Sequence, residues 1–313
     1  MESVNIRRAL VVGAGVMGHS IAQVLAQSGI EVALTDRDKD ALTKAKRLIR
    51  SNLETLAEFG HVDPNEIDAI SNRVHTTRDL KDSSVNIDFV VEAVSEVPDV
   101  KEEVFKRLDA LLPEDTVLSS NTSGIDIFST VKVRRPERLV IAHWFAPPHI
   151  IPLVEVVPGP ETSKETVNTT VNLMKRLGKR PVVMKKFARS FIVNKIQNNI
   201  GLAVFDLLEN DLATPSDIDF AVKTSLGIRL PVVGVAQTLD FTGLDLVNDV
   251  IKSYGLENKF IDEKVNKGQL GAKSSRGMYD YGGRTEEEIL KKRDRLYLKV
   301  LELLEEIKAF EPI

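Results

Sequence analysis

Cysteine is absent from this chain of 313 residues, and histidine is rare, with five residues scattered along the sequence. The lack of cysteine excludes disulfide bonds, thiolate metal ligands and a cysteine nucleophile. Because the histidines do not cluster, we expect no zinc site and predict no bound metal. The net charge of −4 is small, so it gives no general attraction to nucleic acid or to an anionic membrane. We expect neither kind of partner.

The chain also lacks an apolar run long enough to span a bilayer. The first strand pattern begins within a few residues of Met1, which leaves no room for a signal peptide. A hydrophobic fraction of 42% and a charged fraction of 28% are typical of a soluble globular protein, and the length suggests two domains. We therefore expect a cytoplasmic protein.

What the chain does contain is a glycine-rich turn after an apolar run near its start. Residues 8–12 lead into Gly13, Gly15 and Gly18 at G-x-G-x-x-G spacing, and a helical stretch follows. Gly13 permits a tight turn, Gly15 lets the backbone approach a pyrophosphate, and Gly18 lets the helix pack closely on the strand. The helix N-terminus then faces the phosphates. The residues predicted to contact a dinucleotide are Gly13, Ala14, Gly15, Val16, Met17 and Gly18.

The next apolar run predicts which dinucleotide is bound. Residues 31–35 end at Asp36, which has about the spacing expected for a carboxylate that hydrogen-bonds the adenosine ribose. This carboxylate would repel the additional phosphate of NADP. The predicted cofactor is therefore NAD.

Apolar runs alternate with amphipathic helical stretches as far as residue 184, a pattern typical of a parallel sheet with helices on both faces. The predicted strands are 7–12, 31–35, 87–92, 116–120, 139–143, 153–157 and 181–184. A helical insertion over 38–71 carries a turn at 60–64. Beyond residue 186 helical periodicity dominates, including a stretch at 190–210 and helices capped by Thr214 and Thr285.

The predicted fold class is therefore α/β. A doubly wound, Rossmann-type domain over residues 1–186 precedes a smaller all-helical domain over residues 187–313. We expect the active site in the cleft between them.

One histidine lies near the end of a predicted strand. His143 closes the run 139–143, and open parallel sheets bind ligands at the carboxyl ends of their strands. Glu155 stands inside the apolar run 153–157, where a carboxylate is costly unless it is paired. A neighbouring strand could bring His143 to it and so orient a basic imidazole. We predict that His143 removes a hydroxyl proton during hydride transfer to NAD; the alternative is a structural histidine and an edge glutamate.

Other polar residues follow other predicted elements. Asn121 and Ser123 come directly after the run 116–120, and we predict contacts of Asn121 with the cofactor and of Ser123 with the substrate. Ser123 and Asp126 also have the pattern of a capping box for the next helix, which remains an alternative. Asn194 opens the helical domain, where it would by itself be a solvated position.

Taken together, these segments resemble the L-3-hydroxyacyl-CoA dehydrogenase family over nearly the whole chain. The matching motifs are residues 13–18, Asp36, residues 92–96 with Lys101, residues 121–123, His143 with Glu155, residues 191–194, Asp240 with residues 243–245, and residues 271–281. The resemblance implies that His143 is the base and Glu155 its partner. It also implies substrate contacts for Ser123 and Asn194. The cofactor contacts that it implies are Asp36, Glu96, Lys101 and Lys273.

The family is commonly dimeric through its helical domain, so the resemblance implies a homodimer. Lys273 lies in a basic loop of glycine and serine, residues 271–277, which suits an anion but is equally compatible with a solvated loop.

Three segments depart from the family pattern. Family members usually read His-Phe-Phe-Asn-Pro where residues 143–147 read His-Trp-Phe-Ala-Pro, so Ala146 removes an amide near the nicotinamide. They usually read Asp-x-Pro-Gly where residues 187–190 read Phe-Ala-Arg-Ser. Acyl-CoA members place a serine and lysines near CoA in the helical insertion, whereas cations are sparse around residues 52–59. A group as highly charged as the CoA phosphates should favour cations.

Residues 147–148, 151–162 and 225–229 are more similar to a second branch, which contains L-gulonate 3-dehydrogenase and lambda-crystallin, with L-carnitine dehydrogenase as a relative. Arg229 would suit a substrate carboxylate in an enzyme of that branch. The alternative is that it is a surface arginine after a turn. We expect NAD-dependent interconversion of an L-3-hydroxy and a 3-oxo group in a small-molecule substrate. The first candidate substrate is 3-hydroxyacyl-CoA and the second is a free 3-hydroxy acid. A non-catalytic NAD-binding protein is the third interpretation.

Overall fold

Short apolar runs form the strands of one eight-stranded sheet. The structure, a computed structural model, describes residues 6–311. In chain order the strands are β1 (Arg8–Val12), β2 (Glu31–Thr35), β3 (Val74–Thr77), β4 (Phe89–Glu92), β5 (Val117–Ser120), β6 (Leu139–Trp144), β7 (Leu153–Pro158) and β8 (Arg180–Val183). Their order across the sheet is β3-β2-β1-β4-β5-β6-β7-β8. The order reverses beside β1, at the switch point where doubly wound sheets bind ligands.

Both faces of the central strands of this sheet are buried. In β1, Ala9 and Val11 join one apolar cluster while Leu10 and Val12 join the other, because alternate side chains of a strand point to opposite faces. The helices of this part are α1 (Gly18–Gln27), α2 (Lys39–Glu58), α3 (Ile67–Asn72), α4 (Pro98–Leu111), α5 (Ile127–Thr130) and α6 (Lys164–Arg176). The predicted doubly wound α/β fold is confirmed.

The directions of β7 and β8 correct the prediction of a parallel sheet, since both strands run opposite to the other six. Six of the seven neighbouring pairs are parallel, but β7 runs antiparallel to β6. Only residues 145–152 connect these two strands, which is shorter than the crossover of about a dozen residues or more that a parallel pair needs. The reversal places His143 directly opposite Glu155 in the ladder.

Strand β3 was not predicted from the sequence. It has four residues, Val-His-Thr-Thr, and of these only Val74 is buried. The strand lies at the edge of the sheet, beside β2. Because Val74 is the only apolar residue among its four, this strand has no apolar run from which to predict it.

The chain divides into two compact units between Asn199 and Ile200. The division falls within helix α7 (Val193–Glu209) and lies later in the chain than the predicted boundary at residue 186. The remaining helices are α8 (Pro215–Ala221), α9 (Gly227–Thr242), α10 (Leu244–Ser253), α11 (Lys259–Asn266) and α12 (Glu286–Glu306). The second unit is thus built from helices, as predicted.

Two of these helices begin at the residues that the sequence predicts as caps. Thr214 caps α8 and Thr285 caps α12, each through a reciprocal capping box. Within residues 6–311, no single helix combines the length and the apolar composition needed to span a membrane. One pair bent by 79°, Pro215–Thr242 with Leu244–Ser253, meets both criteria only when the two segments are taken together.

Candidate active site

The glycine-rich turn follows β1 at the switch point of the sheet. Gly13 has a φ of +103°, and a Cβ on it would lie 2.5 Å from the Ala93 carbonyl oxygen. A Cβ on Gly18 would lie 1.7 Å from the carbonyl oxygen of Gly13. Beside Gly15, in contrast, no heavy atom lies within 4 Å of that position. Side chains at Gly13 and Gly18 would therefore collide with protein backbone, whereas the space beside Gly15 is open. This open side of the turn leaves room for a pyrophosphate to approach.

The carboxylate of Asp36 lies next to this turn. Asp36 Oδ2 accepts a hydrogen bond from Ala14 N at 2.8 Å, and Oδ1 accepts one from Asp38 N at 2.9 Å. Val16 is 76% exposed, and Met17 directly precedes helix α1. The open backbone and the fixed carboxylate together fit NAD.

A buried network of charges lies at the carboxyl ends of β4 and β5. The carboxylate of Glu92 accepts hydrogen bonds from Lys101 Nζ at 2.7 Å and from Ser120 Oγ at 2.5 Å. Lys101 Nζ also lies 3.1 Å from Glu96 Oε2. Because Lys101 is only 1% exposed, its ammonium group joins two carboxylates of the protein and does not extend into solvent.

Glu96 in turn holds the segment that carries Ser123. Its Oε1 accepts hydrogen bonds from Thr122 Oγ1 at 2.5 Å and from Ser123 N at 2.8 Å. Burial acts to raise the pKa of Glu96, but the hydrogen bond from Thr122 and the charge of Lys101 outweigh it and lower the pKa. Thr122 was not predicted from the sequence, since one threonine in a loop forms no recognisable pattern.

The alternative role of Ser123 as a helix cap is not observed among the described residues. Helix α5 is capped by Asp126, whose Oδ1 accepts a hydrogen bond from Phe128 N. The hydroxyl of Thr122 accepts hydrogen bonds from Gly124 N and Ile125 N. The side chain of Ser123 is therefore not used in this helix start.

The paired strands β6 and β7 bring together a histidine and a carboxylate. His143 Nδ1 lies 2.8 Å from Glu155 Oε2, and both side chains are almost fully buried. Glu155 Oε1 accepts hydrogen bonds from Ile192 N at 3.0 Å and Val193 N at 2.9 Å. Burial acts to raise the pKa of Glu155, but the hydrogen bonds from His143 and these two amides outweigh it and lower the pKa. We call His143 and Glu155 the dyad.

Aromatic rings enclose the imidazole of the dyad. The centroid of the His143 ring lies 4.5 Å from that of Phe145 and 5.2 Å from that of Phe191. Ser190 and Phe191 have φ values of 66° and 49°, in the left-handed region that residues other than glycine seldom adopt. This turn directly precedes the two amides that bind the carboxylate of the dyad.

The structure also brings together the residues predicted at the cofactor and substrate. Asn121 Oδ1 accepts a hydrogen bond from Trp144 N at 2.8 Å, and Trp144 directly follows His143 in the chain. Asn194 Nδ2 donates to the carbonyl oxygen of Ser123 at 3.4 Å. Ser123 and Asn194 line one pocket of about 600 Å³, which we call the serine–asparagine pocket.

Two further predicted residues lie in the second unit. Arg229, on helix α9, donates from Nη2 to Ser225 Oγ at 3.1 Å. Lys273 Nζ forms an ion pair with Asp245 Oδ2 at 2.5 Å. Each cation thus has an oxygen partner in its own unit, and the roles predicted for them at the substrate and the cofactor stay predictions.

Comparison with known proteins extends these observations to the whole chain. The family described as 3-hydroxyacyl-CoA dehydrogenase, NAD binding domain, matches residues 8–187. The family described as 3-hydroxyacyl-CoA dehydrogenase, C-terminal domain, matches residues 191–281. Together the two matches cover most of both units.

Individual relatives agree with these matches. The 5-formyl-3-hydroxy-2-methylpyridine 4-carboxylate 5-dehydrogenase of Mesorhizobium japonicum is 32% identical over 96% of this chain and 99% of its own length. The human mitochondrial hydroxyacyl-coenzyme A dehydrogenase is 32% identical over 90% of this chain and 93% of its own length. A crystal structure of a 3-hydroxyacyl-CoA dehydrogenase from Archaeoglobus fulgidus is 29% identical, with a TM-score of 0.78 over 95% of this chain and 99% of that one.

The glycine turn with its open approach, the fixed Asp36 carboxylate and the sheet order therefore agree with both family matches and with full-length relatives. This chain belongs to the 3-hydroxyacyl-CoA dehydrogenase family and is an NAD-dependent oxidoreductase.

Proposed function

We propose that this enzyme interconverts an L-3-hydroxy and a 3-oxo group, with His143 as the general base. The observation that carries the proposal is the dyad, an imidazole fixed at 2.8 Å from a buried carboxylate at the end of strand β6. Positioned histidines of this kind are the commonest general bases in enzymes.

The geometry indicates how the dyad would act. With its proton on Nδ1, His143 donates a hydrogen bond to Glu155, and Nε2 of the neutral imidazole can then take the proton of a substrate hydroxyl. The charge of Glu155 then stabilises the imidazolium that forms. Bound NAD would accept the hydride that leaves the carbon bearing this hydroxyl, so that the alcohol becomes a ketone. Ser123 and Asn194 would bind the substrate oxygen from the serine–asparagine pocket.

Replacing His143 with glutamine tests the base directly. We expect kcat to fall by roughly 10²- to 10⁴-fold, because the variant has no group that can accept the hydroxyl proton. The affinity for NADH, measured by fluorescence titration, should stay near that of the wild type. The matched control is His75→Gln, at an exposed histidine in edge strand β3, which should retain full turnover. An active His143→Gln enzyme would remove the proposed base.

We propose 3-hydroxyacyl-CoA as the first candidate substrate and a free 3-hydroxy acid as the second. The human relative is named for hydroxyacyl-coenzyme A, which supports the first. The relative from Mesorhizobium is named for a pyridine carboxylate, aligns over 96% of this chain, and supports the second. Oxidation of NADH with acetoacetyl-CoA, compared with a panel of free 3-oxo acids, distinguishes them. Turnover of acetoacetyl-CoA alone would place the enzyme in fatty-acid metabolism.

We also propose that the enzyme is a homodimer that associates through its second unit. Helix α7 contains no buried residue, and large apolar side chains of this unit are more than half exposed, including Leu202, Phe205 and Leu212. Exposed apolar surface of this extent marks an interaction site. The cytoplasmic location stays a prediction.

A further inference from the structure

The serine–asparagine pocket contains a cation that the sequence analysis did not place at any site. Its polar lining includes Glu96, Ser123, Asp126, Arg189, Asn194 and Asn198. Among the lining residues, Arg189 alone is a cation. It stands in the Phe-Ala-Arg-Ser segment, residues 187–190, which departs from the family pattern.

The two carboxylates of the pocket do not neutralise Arg189. Glu96 is held by Thr122, Ser123 and Lys101, and Asp126 caps helix α5. Within residues 6–311, Arg189 makes no hydrogen bond and no ion pair. Among the charged side chains that line this pocket, the guanidinium group of Arg189 is therefore available to bind a ligand.

The backbone that carries Arg189 is firmly held although its side chain is exposed. Phe187 packs edge-to-face against Phe128 and Phe191, with ring centroids 6.1 and 6.0 Å apart. Phe191 N donates to the carbonyl oxygen of Ala188 at 3.0 Å. Because Phe191 also packs on His143, the same short segment positions Arg189 and the imidazole of the dyad.

We infer that Arg189 binds a carboxylate of the substrate, which makes a free hydroxy acid the substrate class. A guanidinium group matches a carboxylate through two parallel hydrogen bonds, and the amides of Asn194 and Asn198 supply further donors. The thioester carbonyl of an acyl-CoA is neutral and would leave this cation unpaired. The inference rests on the proposed dehydrogenation and selects the second of its two candidate substrates, the free hydroxy acid.

The test compares Arg189→Gln with the wild type on charged and uncharged forms of the same substrates. L-3-hydroxybutyrate and L-gulonate are each assayed as the free acid and as the methyl ester, and acetoacetyl-CoA is assayed in the reverse direction. We expect Arg189→Gln to lower kcat/KM for a free acid by about 10- to 100-fold, mainly through KM, because a charge-assisted hydrogen bond is lost. Turnover of the ester should be unchanged. The matched control, Lys186→Gln, removes one exposed charge three residues away and should behave as the wild type.

Other outcomes separate the inference from the proposed function. Equal losses on acid and ester, or no loss on either, would overturn the role of Arg189 and leave the dehydrogenation intact. A wild-type enzyme that uses acetoacetyl-CoA but neither acid would also overturn it, and a loss confined to acetoacetyl-CoA would assign Arg189 to the CoA phosphates instead. A wild-type enzyme that binds NADH but turns over none of these compounds would contradict the proposed function itself.

Discussion

At the scale of single residues, the pairing of His143 with Glu155 could be predicted because a carboxylate inside an apolar run demands a partner. The support that Glu155 receives from Ile192 N and Val193 N could not be predicted. It depends on left-handed backbone at Ser190 and Phe191, and neither residue type announces such a turn as glycine would. The hydrogen bond from Thr122 to Glu96 could not be predicted for a related reason, because it depends on contact between two segments that are distant in the chain.

The lowered pKa of Glu155 predicts how stability depends on acid. Because the pKa lies below its ordinary value of 4.5, the carboxylate contributes stability above that pH, and the contribution is lost as the pH falls through the lowered pKa. We expect the free energy of unfolding of the wild type to fall more steeply with acid below this value than that of Glu155→Gln, which cannot titrate. Urea unfolding of both proteins from neutral pH into this range measures the difference. A difference that does not change with pH would contradict the prediction.

The left-handed backbone of Ser190 predicts a stabilising substitution. Ser190→Gly removes the strain of a side chain at φ 66°, while glycine gains some conformational freedom in the unfolded chain. We expect a net increase in the free energy of unfolding of up to about 1 kcal/mol. Ser190→Ala keeps a Cβ at the same φ and should bring no such gain. Equal stability of the glycine and alanine variants in urea unfolding would rule out backbone strain as the cause.

At the scale of elements, seven of the eight strands were predictable because each is an apolar run bounded by turns. Strand β3 was not, since Val74 is its only apolar residue. The direction of β7 was also missed, because apolar composition does not record direction. Only the connection over residues 145–152 restricts the direction of β7, because it is too short for a crossover between parallel strands.

The glycine turn after β1 separates cofactor binding from stability. Gly15→Ala places a methyl group where the protein leaves space, so the fold should be unaffected while the approach of the pyrophosphate is blocked. We expect the affinity for NADH to fall by about tenfold or more with an unchanged melting temperature. Gly18→Ala should instead destabilise the fold, since its Cβ would lie 1.7 Å from a carbonyl oxygen. Fluorescence titration and thermal unfolding measure the two effects. Equal behaviour of the two variants would refute this division.

At the scale of the whole molecule, composition and periodicity were sufficient to predict a sheet-based unit followed by a helical one. They do not mark the division between Asn199 and Ile200, because α7 continues as one helix across it. Nor could they assign partners to Arg229 and Lys273, whose contacts lie within the second unit.

The exposed apolar surface of the second unit predicts the oligomeric state. Phe205 on α7 is 59% exposed, and Phe205→Glu would bury a charge in an apolar contact between two copies. We expect light scattering to show a dimer for the wild type and a monomer for this variant. The control is Phe59→Glu, at a residue of the first unit that is 76% exposed. This variant should have the same molecular mass in solution as the wild-type dimer. A monomeric wild type would contradict the proposed homodimer.

The hydrogen bonds of Asp36 have a consequence for attempts to redesign this protein. The carboxylate that would exclude a 2′-phosphate is also the acceptor for the amides of Ala14 and Asp38. A variant with room for NADP must move this group and thereby releases an amide of the turn that every dinucleotide has to use. The preference for NAD over NADP therefore cannot be changed without affecting the glycine turn. A successful redesign will need a second substitution that supplies a new hydrogen-bond acceptor for Ala14 N.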